Sequence, residues 1–117
     1  MPSVDIPDLV HRYYSAWETK NRQILEGLLS DDFTFSSPRD DRISRAAFFD
    51  KCWPNSEKIR ARTIEKLFEQ DSEAFVRYRL QLRNGAQFRN TELLRFEGGK
   101  IAEVDVYFGR TIEQPIE

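Results

Sequence analysis

The stretch Phe88–Gly109, FRNTELLRFEGGKIAEVDVYFG, decides the reading of this chain. It is two alternating strands around a Glu-Gly-Gly turn. One face of the first strand carries Phe88, Asn90, Glu92, Leu94 and Phe96. A carboxylate and an amide therefore share a face with residues that favour a core. Burying an ionisable group is costly unless it is paired or neutralised. The pattern predicts either a polar site inside a cavity or a structural hydrogen bond.

Two registers fit this hairpin. A two-residue Gly98-Gly99 turn pairs Glu97 with Lys100 and sets Glu92 opposite Asp105. Like charges placed so are destabilising unless they share a proton. A three-residue Glu97-Gly98-Gly99 loop pairs Phe96 with Lys100 and sets Glu92 opposite Val104. The inner face of the last strand is then Ala102, Val104, Val106 and Phe108, with Ile101, Glu103, Asp105 and Tyr107 outside. The first set is the more apolar, which favours the three-residue loop.

Upstream, Val76, Tyr78, Leu80 and Leu82 alternate with Arg77, Arg79, Gln81 and Arg83, a half-buried strand that ends at an Asn84-Gly85 hairpin signal. Ile59 to Glu69 reads as a long strand whose mixed alternation suggests a bulge. Before it, Ser44 caps a short helix with Ala46, Ala47, Phe48, Phe49 and Cys52. Phe33-Thr-Phe-Ser is a short strand, and Ser37 to Arg42 is a loop by composition. At the start, Ile6, Leu9, Val10, Tyr13, Tyr14 and Trp17 recur at helical spacing behind the N-cap Asp5, a helix over about residues 6–19. Asn21 caps a second helix with Ile24, Leu25, Leu28 and Leu29. The order is α-α-β-α-β-β-β-β, an α+β domain with helices packed on a curved, mostly antiparallel sheet.

The length, 117 residues, suits one domain over 1–117. Positive and negative side chains nearly cancel, at net −2, so no global field favours nucleic acid or an anionic membrane. Arg77, Arg79, Arg83, Arg89 and Arg95 fall on the outer sheet face, where Glu65, Glu69, Glu73, Glu103 and Asp105 interleave with them. An ion-paired face or a dimer interface is the expectation there. The one cysteine, Cys52, excludes an internal disulfide and points to a reducing compartment. With no apolar run of membrane-spanning length, a cytoplasmic protein is expected. Neither GxxxxGK[ST] nor GxGxxG occurs and no metal-ligand cluster is visible, so neither cofactor nor metal is expected.

The order of elements, the Tyr13-to-Trp17 helix, the Leu28-Leu29-Ser30-Asp31-Asp32-Phe33 junction and the Phe96-Glu-Gly-Gly-Lys-Ile turn resemble the NTF2-like superfamily, in its SnoaL-like and ketosteroid-isomerase-like branch. The resemblance covers nearly the whole chain. It implies a cone of helices closed by a curved sheet, a pocket between them, and a homodimer formed through the outer sheet face. Ketosteroid isomerases stabilise an enolate with a tyrosine on the first helix and a protonated acid on a late strand. Tyr13 and Glu92 fall at those positions. The isomerase's general base, an aspartate just before a proline, corresponds to Ser37 before Pro38. A neutral hydroxyl does not abstract a proton at pH 7 without a base of its own. A further aromatic hydroxyl of that site falls near Cys52.

Other chemistries of the superfamily fit less well. A dehydratase type needs histidine, and the one histidine, His11, lies off the apolar stripe. An epoxide-hydrolase type needs an Asp-Arg-Asp constellation; no inward arginine is expected, and Val106 takes one acid position. A polyketide-cyclase type needs an inward carboxylate, which Glu92 supplies, or Asp105 in the other register.

The expected function is binding of a small, largely apolar organic ligand in the cone pocket, with isomerase- or cyclase-type oxyanion stabilisation by Tyr13 and Glu92 as the catalytic reading. The alternative is a non-catalytic ligand-binding or protein-interaction module, with Glu92 a buried acid bonded to Tyr13, Tyr78 or Asn90. The expected pocket walls are Trp17, Phe33, Ser37, Phe48, Cys52, Tyr78, Asn90, Val104, Val106 and Phe108.

Overall fold

A computed structural model of the chain describes residues 5–112; the two ends of the expected 1–117 domain lie outside them. Helix α1 spans Ile6–Glu18 and begins where the Asp5 carboxylate accepts the Asp8 amide at 3.0 Å. Its buried residues are the expected apolar set plus Ala16. Helix α2, Arg22–Leu28, is capped by Asn21 through the Ile24 amide. Leu29 belongs to strand β1, Leu29–Ser37, rather than to α2, and Ile24 is exposed. Helix α3, Arg45–Lys51, starts at the Ser44 cap, and a 3-10 turn, Trp53–Lys58, follows it.

The segment after Ser37 is more ordered than its composition suggests. Asp40–Ser44 forms strand β2, antiparallel to β1. The remaining strands are β3 (Ile59–Gln70), β4 (Glu73–Leu82), β5 (Gln87–Glu97) and β6 (Lys100–Ile112). They form one open six-stranded sheet in the order β2-β1-β6-β5-β4-β3. Only the β1–β6 pairing is parallel, because the chain between them makes a long crossover. The β3 bulge is present, with register shifts between Ile59 and Ala61 and between Ile64 and Lys66.

The β5–β6 hairpin combines features of both expected registers. Gly98 and Gly99 have φ of +61° and +79°, so they form a two-residue turn and Glu97 pairs with Lys100. The three-residue loop is therefore incorrect. A bulge at Ala102 then moves the register by one, since Phe96 faces Ile101 but Arg95 faces Glu103. Glu92 faces Val106, not Val104 or Asp105. The extra residue lets both Ile101 and Ala102 be buried, so the expected outward Ile101 is a correction. Val104 and Val106 point inward as expected, while Phe108 is 51% exposed where β6 leaves the core.

The core lies between α1, α3 and the inner sheet face. Phe48 is its centre: its ring centroid lies 5.1–5.8 Å from those of Phe33, Phe35, Phe49 and Trp17. The outer face carries the expected ion pairs. Arg89 makes a two-pronged bond to Glu65 at 2.9 and 3.2 Å, and Arg95 bridges Glu97 and Glu103. Such exposed pairs contribute little to stability but occupy Arg77, Arg89 and Arg95.

Candidate functional site

Between α1, the 3-10 turn and the inner sheet face lies a cavity of about 300 Å³. That is at the small end for organic-ligand sites. Strands β4 and β5 alternate, so Tyr78, Asn90 and Glu92 all face it. Glu92 is only 4% exposed. Its Oε1 accepts the Tyr14 hydroxyl at 3.0 Å and its Oε2 accepts the Tyr78 hydroxyl at 2.5 Å. Asn90 Nδ2 donates to the Tyr78 oxygen at 3.4 Å, and Asn90 Oδ1 accepts the Gly109 amide at 3.1 Å. The chain of donors runs from the β6 backbone through Asn90 and Tyr78 and ends on Glu92.

Burial, then the neighbouring Glu92 charge, pushes both phenols above the ordinary tyrosine range, so they keep their protons and donate. Burial also pushes the Glu92 carboxyl above the usual carboxylate range, while Arg62 and the two phenols pull it back. The Arg62 guanidinium carbon lies 4.6 Å from both the Tyr14 and the Tyr78 ring centroids. Those centroids are 5.3 Å apart, so the cation caps the pair of rings. Burial disfavours its charge, but Tyr78 and Glu92 outweigh burial and Arg62 stays protonated.

At the mouth, Asp40 borders the cavity beside Ser37. Its Oδ2 accepts the Ser37 hydroxyl at 3.2 Å, and Ser37 Oγ in turn accepts the Arg39 amide. Arg39 and Lys58 also border the opening, with Arg39 over the Phe108 ring at 5.9 Å. The hydroxyl before Pro38 is thus paired with a carboxylate three residues on.

Of the residues expected from the sequence, Tyr13, Trp17, Ser37, Cys52, Tyr78, Asn90, Glu92, Val106 and Phe108 border the cavity. Phe33, Phe48 and Val104 do not; they are fully buried in the core behind it. The helix tyrosine that reaches Glu92 is Tyr14, not Tyr13, which packs edge-on against Tyr14 and Trp17. Cys52 is an inert thiol, pushed up to about 11 by burial and by nearby Asp40. Asp105 accepts the Tyr107 hydroxyl on the outer face.

The sequence reading missed Arg62, and its expectation of no inward arginine is corrected. The bulge between Ile59 and Ala61 puts Arg62 on the inner face with Ile64, paired with Leu80 on β4. Tyr13 and Tyr14 both lie on the buried arc of α1, so periodicity alone does not separate them. Among the described residues no group of His, Cys, Asp and Glu is arranged to hold a metal ion. No described helix is long and apolar enough to cross a membrane.

The raised Glu92 carboxyl has a consequence for stability. A carboxyl held more protonated in the folded than in the unfolded chain stabilises most below about pH 4.3, its ordinary value, and loses that contribution as pH rises through the folded value. The stability of the wild type relative to Glu92→Gln should therefore fall as pH rises above about 4.3, measured by urea unfolding. A difference that grows with pH would mean that Arg62 and the phenols dominate.

Comparisons with known proteins agree with this architecture. A 25% identical NTF2-like protein of unknown function from Cytophaga hutchinsonii superposes with a TM-score of 0.74, over 92% of each chain. A candidate ketosteroid isomerase from Kribbella flavida, 18% identical, gives 0.76 over 94% of this chain and 82% of its own. A candidate polyketide cyclase from Sinorhizobium meliloti, 19% identical, gives 0.74 over 91% and 99%. At 18% and 19% identity these last two likenesses show the shared fold. No curated protein matches the sequence. The family model of the SnoaL-like domain matches residues 10–104, most of the described fold including Glu92 and its partners Tyr14 and Tyr78, and the chain belongs to that family.

Proposed function

We propose that this SnoaL-like domain binds a small, largely apolar carbonyl compound in its cavity and moves a proton on it, as isomerase- and cyclase-type reactions require. The observation that carries this reading is Glu92, a buried acid bordering an otherwise largely apolar cavity with a phenol on each oxygen. A carboxylate raised toward neutrality is a competent general base. Because both phenols donate to it, Glu92 suits the proton-accepting role better than the oxyanion-donating role suggested by the sequence. Tyr13 then shapes the wall.

The test uses phenylacetone as a probe. Its α-protons should exchange with D2O faster with the protein than in buffer, followed by NMR. The Glu92→Gln variant should lose about 10²-fold or more of that acceleration. Equal exchange with variant and wild type would remove Glu92 from the chemistry. Saturable quenching of the tryptophan fluorescence, from Trp17 and neighbouring Trp53, without exchange would favour the non-catalytic binding module.

The reading includes a second copy of the chain on the outer sheet face. Phe68 and Phe75 pair across β3 and β4 there, 67% and 50% exposed, with half-exposed Tyr107 on β6. Exposed aromatic rings on an outer sheet face suit burial against a partner. Sedimentation should show a dimer that Phe75→Glu converts to a monomer; a monomeric wild type would reject this part. The single buried thiol fits a reducing compartment such as the cytoplasm.

A further inference from the structure

Arg62 is half-buried, but its Nε and NH1 are fully enclosed, and among the described residues no acceptor lies within hydrogen-bond reach of either. Nor does any carboxylate among the described residues come within 4.0 Å of its guanidinium, although Glu92 is near enough to influence its charge. Buried polar groups are nearly always bonded, and an enclosed guanidinium without an oxygen partner asks for an explanation. The two tyrosine rings compensate part of the charge through their faces, but a ring face does not satisfy the in-plane N–H groups. The backbone side of Arg62 is fixed, since its amide donates to Glu18 at 2.8 Å. The side chain borders the same cavity as Glu92, Tyr78 and Asn90.

The other donors bonded into the Glu92 cluster are already directed. Tyr14 and Tyr78 point at the carboxylate, and Asn90 points at Tyr78. Arg62 is left as the cationic donor of the cavity's polar end without an oxygen partner. We propose that Arg62 is the ligand's oxygen anchor: its guanidinium receives a carbonyl or carboxylate oxygen of the bound molecule, beside the Glu92 carboxylate. The inference rests on the small-molecule reading above and narrows it to ligands that carry such an oxygen on an apolar body. In a proton abstraction by Glu92, the α-carbon would lose its proton to the carboxylate. The electron pair of the broken C–H bond would form the enolate C=C bond, displacing the carbonyl π pair onto the oxygen, where the Arg62 charge lies. The acid–base pair is then split across one cavity, with the base on β5 and the electrophile on β3.

Three probes with matched bodies test the anchor: phenylacetone, phenylacetate and propylbenzene, titrated against the fluorescence of Trp17 and its neighbour Trp53. The wild type should bind at least one oxygen-bearing probe about tenfold or more tightly than propylbenzene. The better of the two tells whether carbonyl or carboxylate is preferred. Arg62→Met should abolish that preference and leave propylbenzene affinity unchanged. Should that variant not fold, Arg62→Lys should still cut the preference several-fold, because an ammonium lacks the planar fork. In the wild type, the Arg62 Nε–H resonance should shift with the preferred probe and not with propylbenzene. Propylbenzene binding with no preference for oxygen, a preference retained in the variants, or an unmoved resonance would overturn the anchor while leaving the binding reading intact. Binding of none of the three would overturn both.

Discussion

Gly109→Ala is expected to destabilise the fold by about 3 kcal/mol, the upper range for overpacking. A β-carbon at this position would lie 1.8 Å from the Arg89 carbonyl oxygen and 2.8 Å from its carbon. Both are backbone atoms of the neighbouring strand, so no rotamer change relieves the clash. The strands must separate where β5 and β6 already shift register between Phe88 and Asn90. The same glycine donates its amide to Asn90, which in turn orients Tyr78. The variant should thus lose probe binding as well as stability. Urea unfolding and the fluorescence titration read the two effects separately. A loss below about 1 kcal/mol would mean that the β5–β6 strands approach less closely than described.

Phe48→Ala should cost about 3–5 kcal/mol, as for other fully buried phenylalanines. Phe48 is wholly buried and its ring meets four other aromatic rings, mostly edge-on. It lies one layer behind the cavity, and the cavity walls Trp17 and Phe35 rest on it. Its removal should therefore loosen those walls, and probe affinity should fall although Phe48 touches no ligand. The readout is the urea midpoint together with the titration. Unchanged affinity in the folded variant would show that the walls hold their places without it.

The two variants separate what supports the site from what constitutes it. Gly109 and Phe48 act on position, through backbone approach and packing. Glu92, Tyr78 and Arg62 carry the charge and the protons. Changes in the first group should move stability and affinity together. Glu92→Gln and Arg62→Met should alter exchange or ligand preference, with pH-dependent stability as the mark of Glu92.

Much of the architecture was readable from residue spacing. The α1 stripe, the caps Asp5, Asn21 and Ser44, the β3 bulge and the inward Glu92 all follow from local rules, since caps and alternation depend on near neighbours. Strand β2 was not readable, because Asp40–Ser44 lacks an apolar face and forms by pairing with β1. The β5–β6 register needed the bulge at Ala102, which sequence alternation does not mark. Asp40, the first residue of that strand, borders the cavity.

The sequence by itself determined the family fold, the hairpin that holds the site and the presence of an acid among core residues. These depend on periodicity and turn chemistry, which are written locally. Only the tertiary structure decided that Tyr14 rather than Tyr13 holds Glu92, and that Arg62 turns inward to cap two rings. Those outcomes depend on the rotation of α1 against the sheet and on a bulge that resets which face β3 presents. Neither is encoded at a single position; each follows from how the helix and the bulged strand pack on the rest of the sheet.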